Sequence, residues 1–172
     1  MPDHALELSF DEASAQAVTM QWEALQTAGL ASQADHRSMT NAPHLTLVAA
    51  VGIDPEVVPV TVAMVQPLLP AAIHLSGLVL LGTGPRVSIA HLAEPGAALA
   101  AVVAELRARV PNVRHVTWTP HVTLARRVPR RLLPAALEVL GGTPSPRVLV
   151  ADRLRWWDPD ADLIMDVARA GG

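Results

Sequence analysis

The sequence contains no cysteine, no lysine and no tyrosine, and it has a single phenylalanine. Without cysteine there is no disulfide framework, no thiol nucleophile and no cysteine-ligated zinc site, as fits a cytoplasmic protein. Without lysine, Schiff-base and P-loop chemistry are excluded. All 13 basic residues are therefore arginine, which with many alanines and prolines suggests a GC-rich bacterial genome. A net charge of −3 argues against an extended phosphate-tracking surface for long nucleic acid. The richest apolar run, Val57 to Leu69, is broken by Pro59 and Pro67 and is too short to cross a bilayer. The first residues show no basic stretch leading into an apolar one, so no secretory signal is expected, and a soluble protein without membrane partners is anticipated. With 51% hydrophobic residues in 172 positions, the chain can bury a proper core.

Against these absences stands a tetrapeptide that occurs twice, His44-Leu45-Thr46-Leu47 and His121-Val122-Thr123-Leu124, each copy preceded by a proline. Both copies lie in runs that read as β-strands, where residues two apart share a face. His and Thr of each copy then project together, while the aliphatic residues point to the core. A lone His-x-Thr on a strand is ordinarily structural. Two copies in matching positions suggest a pair of histidines and a pair of hydroxyls facing each other across a cleft.

The surrounding pattern repeats as well. Residues 4–10 alternate like a strand, Asp11 is placed to cap a helix, and Val18, Trp22, Leu25 and Gly29 follow at helical spacing. The first tetrad opens a strand over 44–51, and an apolar helix follows from about 56 to 69. Strands at 71–81 and 86–92 flank Gly82-Thr83-Gly84-Pro85, a hairpin signal. A helix over 95–110 leads to a strand predicted over 117–128 that carries the second tetrad. A helix beginning at Pro129 ends at Gly141-Gly142, and strands at 147–157 and 162–168 close the chain. The order strand–helix–tetrad strand–helix–strand thus occurs twice. The expected fold is α+β: a duplicated, bilobal chain with two mainly antiparallel sheets, flanking helices and a central cleft. Residues 1–172 then form one domain of two pseudo-symmetric lobes.

The stretch Pro120-His121-Val122-Thr123-Leu124-Ala125-Arg126 resembles the second motif of the 2H phosphoesterase superfamily, and Pro43-His44-Leu45-Thr46-Leu47 fits the first. This superfamily includes the 2′-5′ RNA ligase-like proteins and the cyclic phosphodiesterases. The resemblance spans essentially the whole chain. It implies one tetrad per lobe and metal-independent chemistry, with no cofactor, on 2′,3′-cyclic phosphates or 2′-5′ phosphodiester bonds. The partner is then a small nucleotide or an RNA terminus, bound by a monomer.

The chemistry also follows from the residue types. In-line opening of a cyclic phosphate needs a base for the entering water and an acid for the departing sugar oxygen, on opposite sides of phosphorus. Imidazole, with a reference pKa of about 6.5, suits both roles. His44 and His121 are the candidate acid–base pair, and Thr46 and Thr123 candidate donors to the non-bridging oxygens. Arg126 would add a charge-assisted contact to the phosphate. Trp118 and Phe10 are the candidate aromatic contacts for a base. No aromatic follows the first tetrad, so a substrate held through phosphate and sugar is as compatible as RNA. His4 and His115 lie outside the tetrads and are given no catalytic role, His74 and His91 on the hairpin strands read as structural, and Trp156-Trp157 as a packed strand end. His36 and Arg37 sit in a solvated loop, and Arg127, Arg130 and Arg131 in a basic helix start that invites an anion. Two alternatives remain open: a binding module for nucleotides or RNA ends without turnover, and histidines that ligate a metal, for which two His and two Thr are a poor zinc set.

Overall fold

β1 (His4–Phe10) alternates between two buried environments. Leu6, Leu8 and Phe10 enter the core, while Glu7 and Ser9 face the other way, opposite Thr46 and His44 on the neighbouring strand. Asp11 caps the following helix α1 (Glu12–Thr27): its carboxylate accepts from the Ser14 amide at 2.8 Å. Val18, Trp22 and Leu25 form the buried stripe of α1, and Gly29 ends the turn at φ +70°, a left-handed conformation that glycine adopts freely.

The chain, seen in a computed structural model that describes residues 3–36 and 41–171, continues through β2 (His44–Ala50), α2 (Val57–Val65), β3 (Ala71–Leu81), β4 (Arg86–Pro95), α3 (Ala97–Arg109), β5 (His121–Pro129), α4 (Leu133–Gly141), β6 (Val148–Asp158) and β7 (Leu163–Arg169). The α+β class with antiparallel strands is as expected. All seven strands, however, join one sheet in the order β2-β1-β6-β3-β4-β5, with β7 also on β6. The long strand β6 is the reason. One edge of β6 pairs with β1; its other edge pairs first with β3 through Val148–Ala151 and then with β7. The strand order reads the same backwards when β1, β2 and β3 are exchanged for β4, β5 and β6. The last strand of each β-α-β-α-β unit is thus given to the other unit's side of the sheet.

Most element boundaries match the sequence pattern to within three residues, with three larger shifts. The apolar helix expected to reach residue 69 stops at Val65 and tightens to a 3₁₀ turn over Gln66–Leu68, where Pro67 cannot continue an α-helix. Pro129 precedes a 3₁₀ turn, Arg130–Leu132, and α4 starts only at Leu133. The strand carrying the second tetrad begins at His121 rather than at 117. Val116-Thr117-Trp118-Thr119 has strand-like composition, yet it lies in a loop that runs against the edge of β2. Arg114 donates to the Ala49 carbonyl at 2.8 Å, Val113 forms a single bridge with Ala50, and Trp118 Nε1 donates to the Thr46 carbonyl at 3.0 Å.

Candidate active site

Both tetrads open their strands, and both carry the same irregularity. In β2, Thr46 pairs with Glu7 and Val48 with Leu6, so Leu47 is an extra residue. In β5, Thr123 pairs with Ala90 and Ala125 with Ile89, so Leu124 is the extra one. The fourth residue of each tetrad is thus a β-bulge. The bulge lets two successive residues enter the core, Leu47 with Val48 and Leu124 with Ala125, all four fully buried. Alternation then resumes with opposite phase. Ala49 and Arg126, which simple alternation would send inward after His44 and His121, come round to the face of the histidines and threonines.

β2 and β5 are the two end strands of the sheet path, and a carbonyl in each tetrad is met by an indole. Trp22 Nε1, from α1, donates to the Thr123 carbonyl at 2.9 Å, and Trp118 Nε1 donates to that of Thr46 at 3.0 Å. These bonds tie each tetrad to a segment remote in sequence. Trp118 is half-buried and lines the cleft, so it can both fix β2 and offer a face to a ligand. Phe10 cannot do the second. It is 1% exposed within the core, because the alternation that turns Glu7 and Ser9 toward the tetrad turns Phe10 away. The expectation that Phe10 contacts a base is corrected on that ground.

A cavity of about 500 Å3 is lined by Thr46 of the first tetrad and His121 of the second, together with Ala49, Arg107, Arg114, His115 and Trp118; His44, Thr123 and Arg126 are not among its lining residues. Leu81 and Gly82, at the tip of the β3–β4 hairpin, close another side. Arg130 holds that tip, donating to the Gly84 carbonyl at 2.8 Å and the Gly82 carbonyl at 3.1 Å. It serves as a brace rather than an anion contact, whereas Arg126 has no hydrogen-bond or ion-pair partner among the described residues. Arg107 is tied to the loop through the His115 carbonyl, and Arg114 to Asp3 at 2.6 Å.

The two histidines share one feature and differ in another. Nδ1 of His44 donates to the Ala42 carbonyl at 2.8 Å, and Nδ1 of His121 to that of Thr119 at 2.7 Å. A carbonyl only accepts, so both rings carry a proton on Nδ1 and present Nε2 for exchange. Burial pushes the His121 imidazole below its ordinary 6.5; the Thr119 hydrogen bond opposes this, and the charges of His44, Arg126 and His115 add to the fall. His44 instead has Glu7 Oε2 at 3.2 Å from its Nε2. Glu7 is buried, and its other oxygen receives the Arg155 Nε at 2.7 Å.

The remaining histidines lie elsewhere. His91 is buried on the core side against Gln21, with Nε2 2.7 Å from Oε1, and burial lowers its pKa. His74 is exposed on β3 and His36 in the loop before β2; Arg37 lies outside the described residues. His4 sits between Asp158 and Asp160, the one three-residue grouping of metal-binding type among the described residues. The carboxylates lie 3.6 Å from Nδ1 and 3.0 Å from Nε2, and one ligand atom from each of the three residues lies within 4.8 Å of the other two. No helix among the described residues is long and apolar enough to cross a membrane.

The family model of the 2′-5′ RNA ligase superfamily matches residues 10–163. The chain belongs to this superfamily. Its membership bears out the resemblance to the 2H phosphoesterases, a superfamily of phosphodiesterases and RNA ligase-like enzymes. Among solved structures, Escherichia coli LigT in apo form aligns with a TM-score of 0.56 and 12% identity, over 95% of this chain and 92% of LigT. Kluyveromyces marxianus Usb1 aligns with a TM-score of 0.55 and 11% identity, over 97% and 98% of the two chains. LigT complexed with NADP+ gives 0.54 at 15% identity, again over 95% and 92%. At such identities the likeness shows the 2′-5′ RNA ligase fold and nothing finer. A search of curated proteins finds no match. Within this superfamily member, sequence reasoning passed over Glu7 and Arg155, and it gave His115 no part in the site. Glu7 could have been found from its in-strand phase on β1, but only once the β1–β2 register was known.

Proposed function

We propose that this protein is a metal-independent phosphodiesterase that opens 2′,3′-cyclic phosphates, or cleaves 2′-5′ phosphodiester bonds, at RNA ends or in small nucleotides. The observation that carries this reading is the pair of equivalent bulged tetrads, which gives two imidazoles each anchored through Nδ1 to a backbone carbonyl. Uridine monophosphate with Usb1, and ATP and 3′-AMP with LigT, are ligands of solved relatives of the same fold, which supports a nucleotide as the substrate.

In the proposed step, one histidine takes a proton from water as its oxygen attacks phosphorus. The bond from phosphorus to one ribose oxygen breaks, and the other histidine gives that oxygen its proton. The proton removed and the proton delivered balance, and the product is a phosphomonoester. Thr46 and Thr123 donate to the non-bridging oxygens, and Arg126 offsets their charge as it grows toward the transition state. His44, Thr46, His121 and Thr123 are the proposed catalytic residues; Arg126 and Trp118 are the proposed substrate contacts. Among the described residues no group of three metal-binding side chains includes a tetrad residue, and the scheme needs no metal.

The test is a screen of 2′,3′-cyclic nucleotides, ADP-ribose cyclic phosphate and 2′-5′ dinucleotides, run with and without EDTA. Turnover that survives EDTA is expected. Binding without product from every one of these substrates would overturn the proposal in favour of a binding module.

A further inference from the structure

Away from the cleft, the start of β1 meets the β6–β7 turn, and His4 comes together there with Asp158 and Asp160. His4 is 6% exposed, and its Nδ1 is buried without a hydrogen-bond partner among the described residues. We propose that His4 Nδ1 and the Asp158 carboxylate bind a late first-row divalent cation such as Zn2+, which clasps β1 to the β6–β7 hairpin. The cluster stands apart from the phosphodiesterase site. His4 pairs with Ala50 in the β1–β2 register and Ser9 with His44, which puts the tetrad end of β1 about 16 Å further along the strand. The ion therefore stabilises the sheet and takes no part in the reaction.

His4 Nε2 lies 3.0 Å from Asp160 Oδ2. A carboxylate only accepts, so Nε2 carries a proton, and the neutral ring presents Nδ1 as a lone pair. That lone pair meets Asp158 Oδ1 at 3.6 Å, another acceptor, which already receives the Asp160 and Ala161 amides at 3.0 and 3.2 Å. Two acceptors facing each other where water is excluded are unfavourable until a cation lies between them. A doubly protonated ring would leave the Nδ1 proton unbonded, because 3.6 Å is beyond hydrogen-bond reach. The separation suits a metal: two ligands about 2.0–2.2 Å from Zn2+ at near-tetrahedral angles stand roughly 3.3–3.6 Å apart. Asp160 then accepts from the other ring nitrogen and fixes the tautomer, as carboxylates beside metal-bound histidines do. With its side chain 17% exposed at Asp158 and 64% at Asp160, the site leaves water free to complete the coordination. One imidazole with carboxylate and no thiolate favours Zn2+, Ni2+ or Cu2+ over Mg2+ and Ca2+, which prefer all-oxygen shells.

The test uses the intact protein, stripped with a chelator and titrated with Zn2+, with Mg2+ as the control. Calorimetry should show one saturable Zn2+ site and none for Mg2+, and the thermal midpoint should rise with Zn2+ concentration. In 15N-histidine-labelled protein, Zn2+ should shift the His4 Nδ1 resonance, assigned by His4→Gln, while Nε2 keeps its proton. Asp158→Asn is the deciding variant, since asparagine Oδ1 still accepts the Asp160 and Ala161 amides and so keeps the turn. It should weaken Zn2+ binding by about 100-fold or more, and Asp160→Asn, which only loosens the ring, by about tenfold. Unmoved His4 resonances in the wild-type protein, or no Zn2+ binding at all, would overturn the proposal whether or not the variants fold. Undiminished affinity in Asp158→Asn would also overturn it, by placing the ion on exposed histidines such as His36 and His74.

Discussion

Replacing Trp22 with phenylalanine isolates the contact that joins the first helix to the second tetrad. Trp22 is 4% exposed, and its Nε1 reaches the Thr123 carbonyl at 2.9 Å across 101 residues of sequence. Phenylalanine keeps an aromatic ring in the core but removes the donor. An orphaned buried acceptor costs about 1–3 kcal/mol, and the smaller ring leaves a void worth roughly another 1 kcal/mol. The expected loss is therefore about 2–4 kcal/mol in urea-denaturation stability, at an unchanged m-value. Trp118→Phe is the internal comparison. It removes the equivalent bond to Thr46 from a half-buried site, where water can replace the donor, so it should cost only about 1 kcal/mol. Circular dichroism follows both transitions without depending on tryptophan emission. A Trp22→Phe loss below about 0.5 kcal/mol, or equal losses at the two sites, would refute the reasoning that each tetrad is anchored by an indole with a burial-dependent strength.

Other outcomes follow from the site and its supports. Since burial, with His44, Arg126 and His115, lowers the His121 pKa, the limb of the kcat/KM profile set by His121 should fall below pH 6.5. Removing the His115 ring in His115→Ala should move that limb upward, and a His121 limb at or above 6.5 in the wild type would contradict this reading of its surroundings. Arg126→Met should lower kcat/KM by about 10–100-fold through loss of a charge-assisted contact, measured on the best substrate of the screen. Asp11→Ala should destabilise the fold by about 1 kcal/mol through loss of the α1 cap. The Ser14 hydrogen bonds hold the Asp11 pKa below 3.8, so the unfolded chain takes up the proton first. The stabilisation from Asp11 is then complete above pH 3.8 and lost as pH falls through the lowered value, and denaturation curves of the two proteins should converge there.

The fold was legible wherever period and punctuation agree. Asp11 caps α1, Gly82 to Pro85 turns the hairpin, and the two tetrads lie on strands, all as their residue types dictate. Three things were not legible, each for a physical reason. The bulges at Leu47 and Leu124 break the two-residue period, and only the register of β1 and β4 shows that Arg126 joins the histidine face. The loop over 116–119 has the composition of a strand but spends its polar contacts on the edge of β2. Phe10 was misplaced because an aromatic count says nothing of phase, while Glu7, on the same strand and in the right phase, carried no motif to mark it. Pairing between distant segments decides such positions, and a single sequence does not display it.

The central claim is that the two tetrads form one composite acid–base site, half from each repeated unit. Its most direct test is the turnover of the best substrate by His44→Ala, His121→Ala and the double variant, each checked for wild-type folding by circular dichroism. Groups that act as a unit give non-additive losses. The account predicts that each single variant loses about 10³-fold or more in kcat, and that the double variant is little worse than either. Near wild-type activity in one single variant, or losses that multiply in the double, would contradict it.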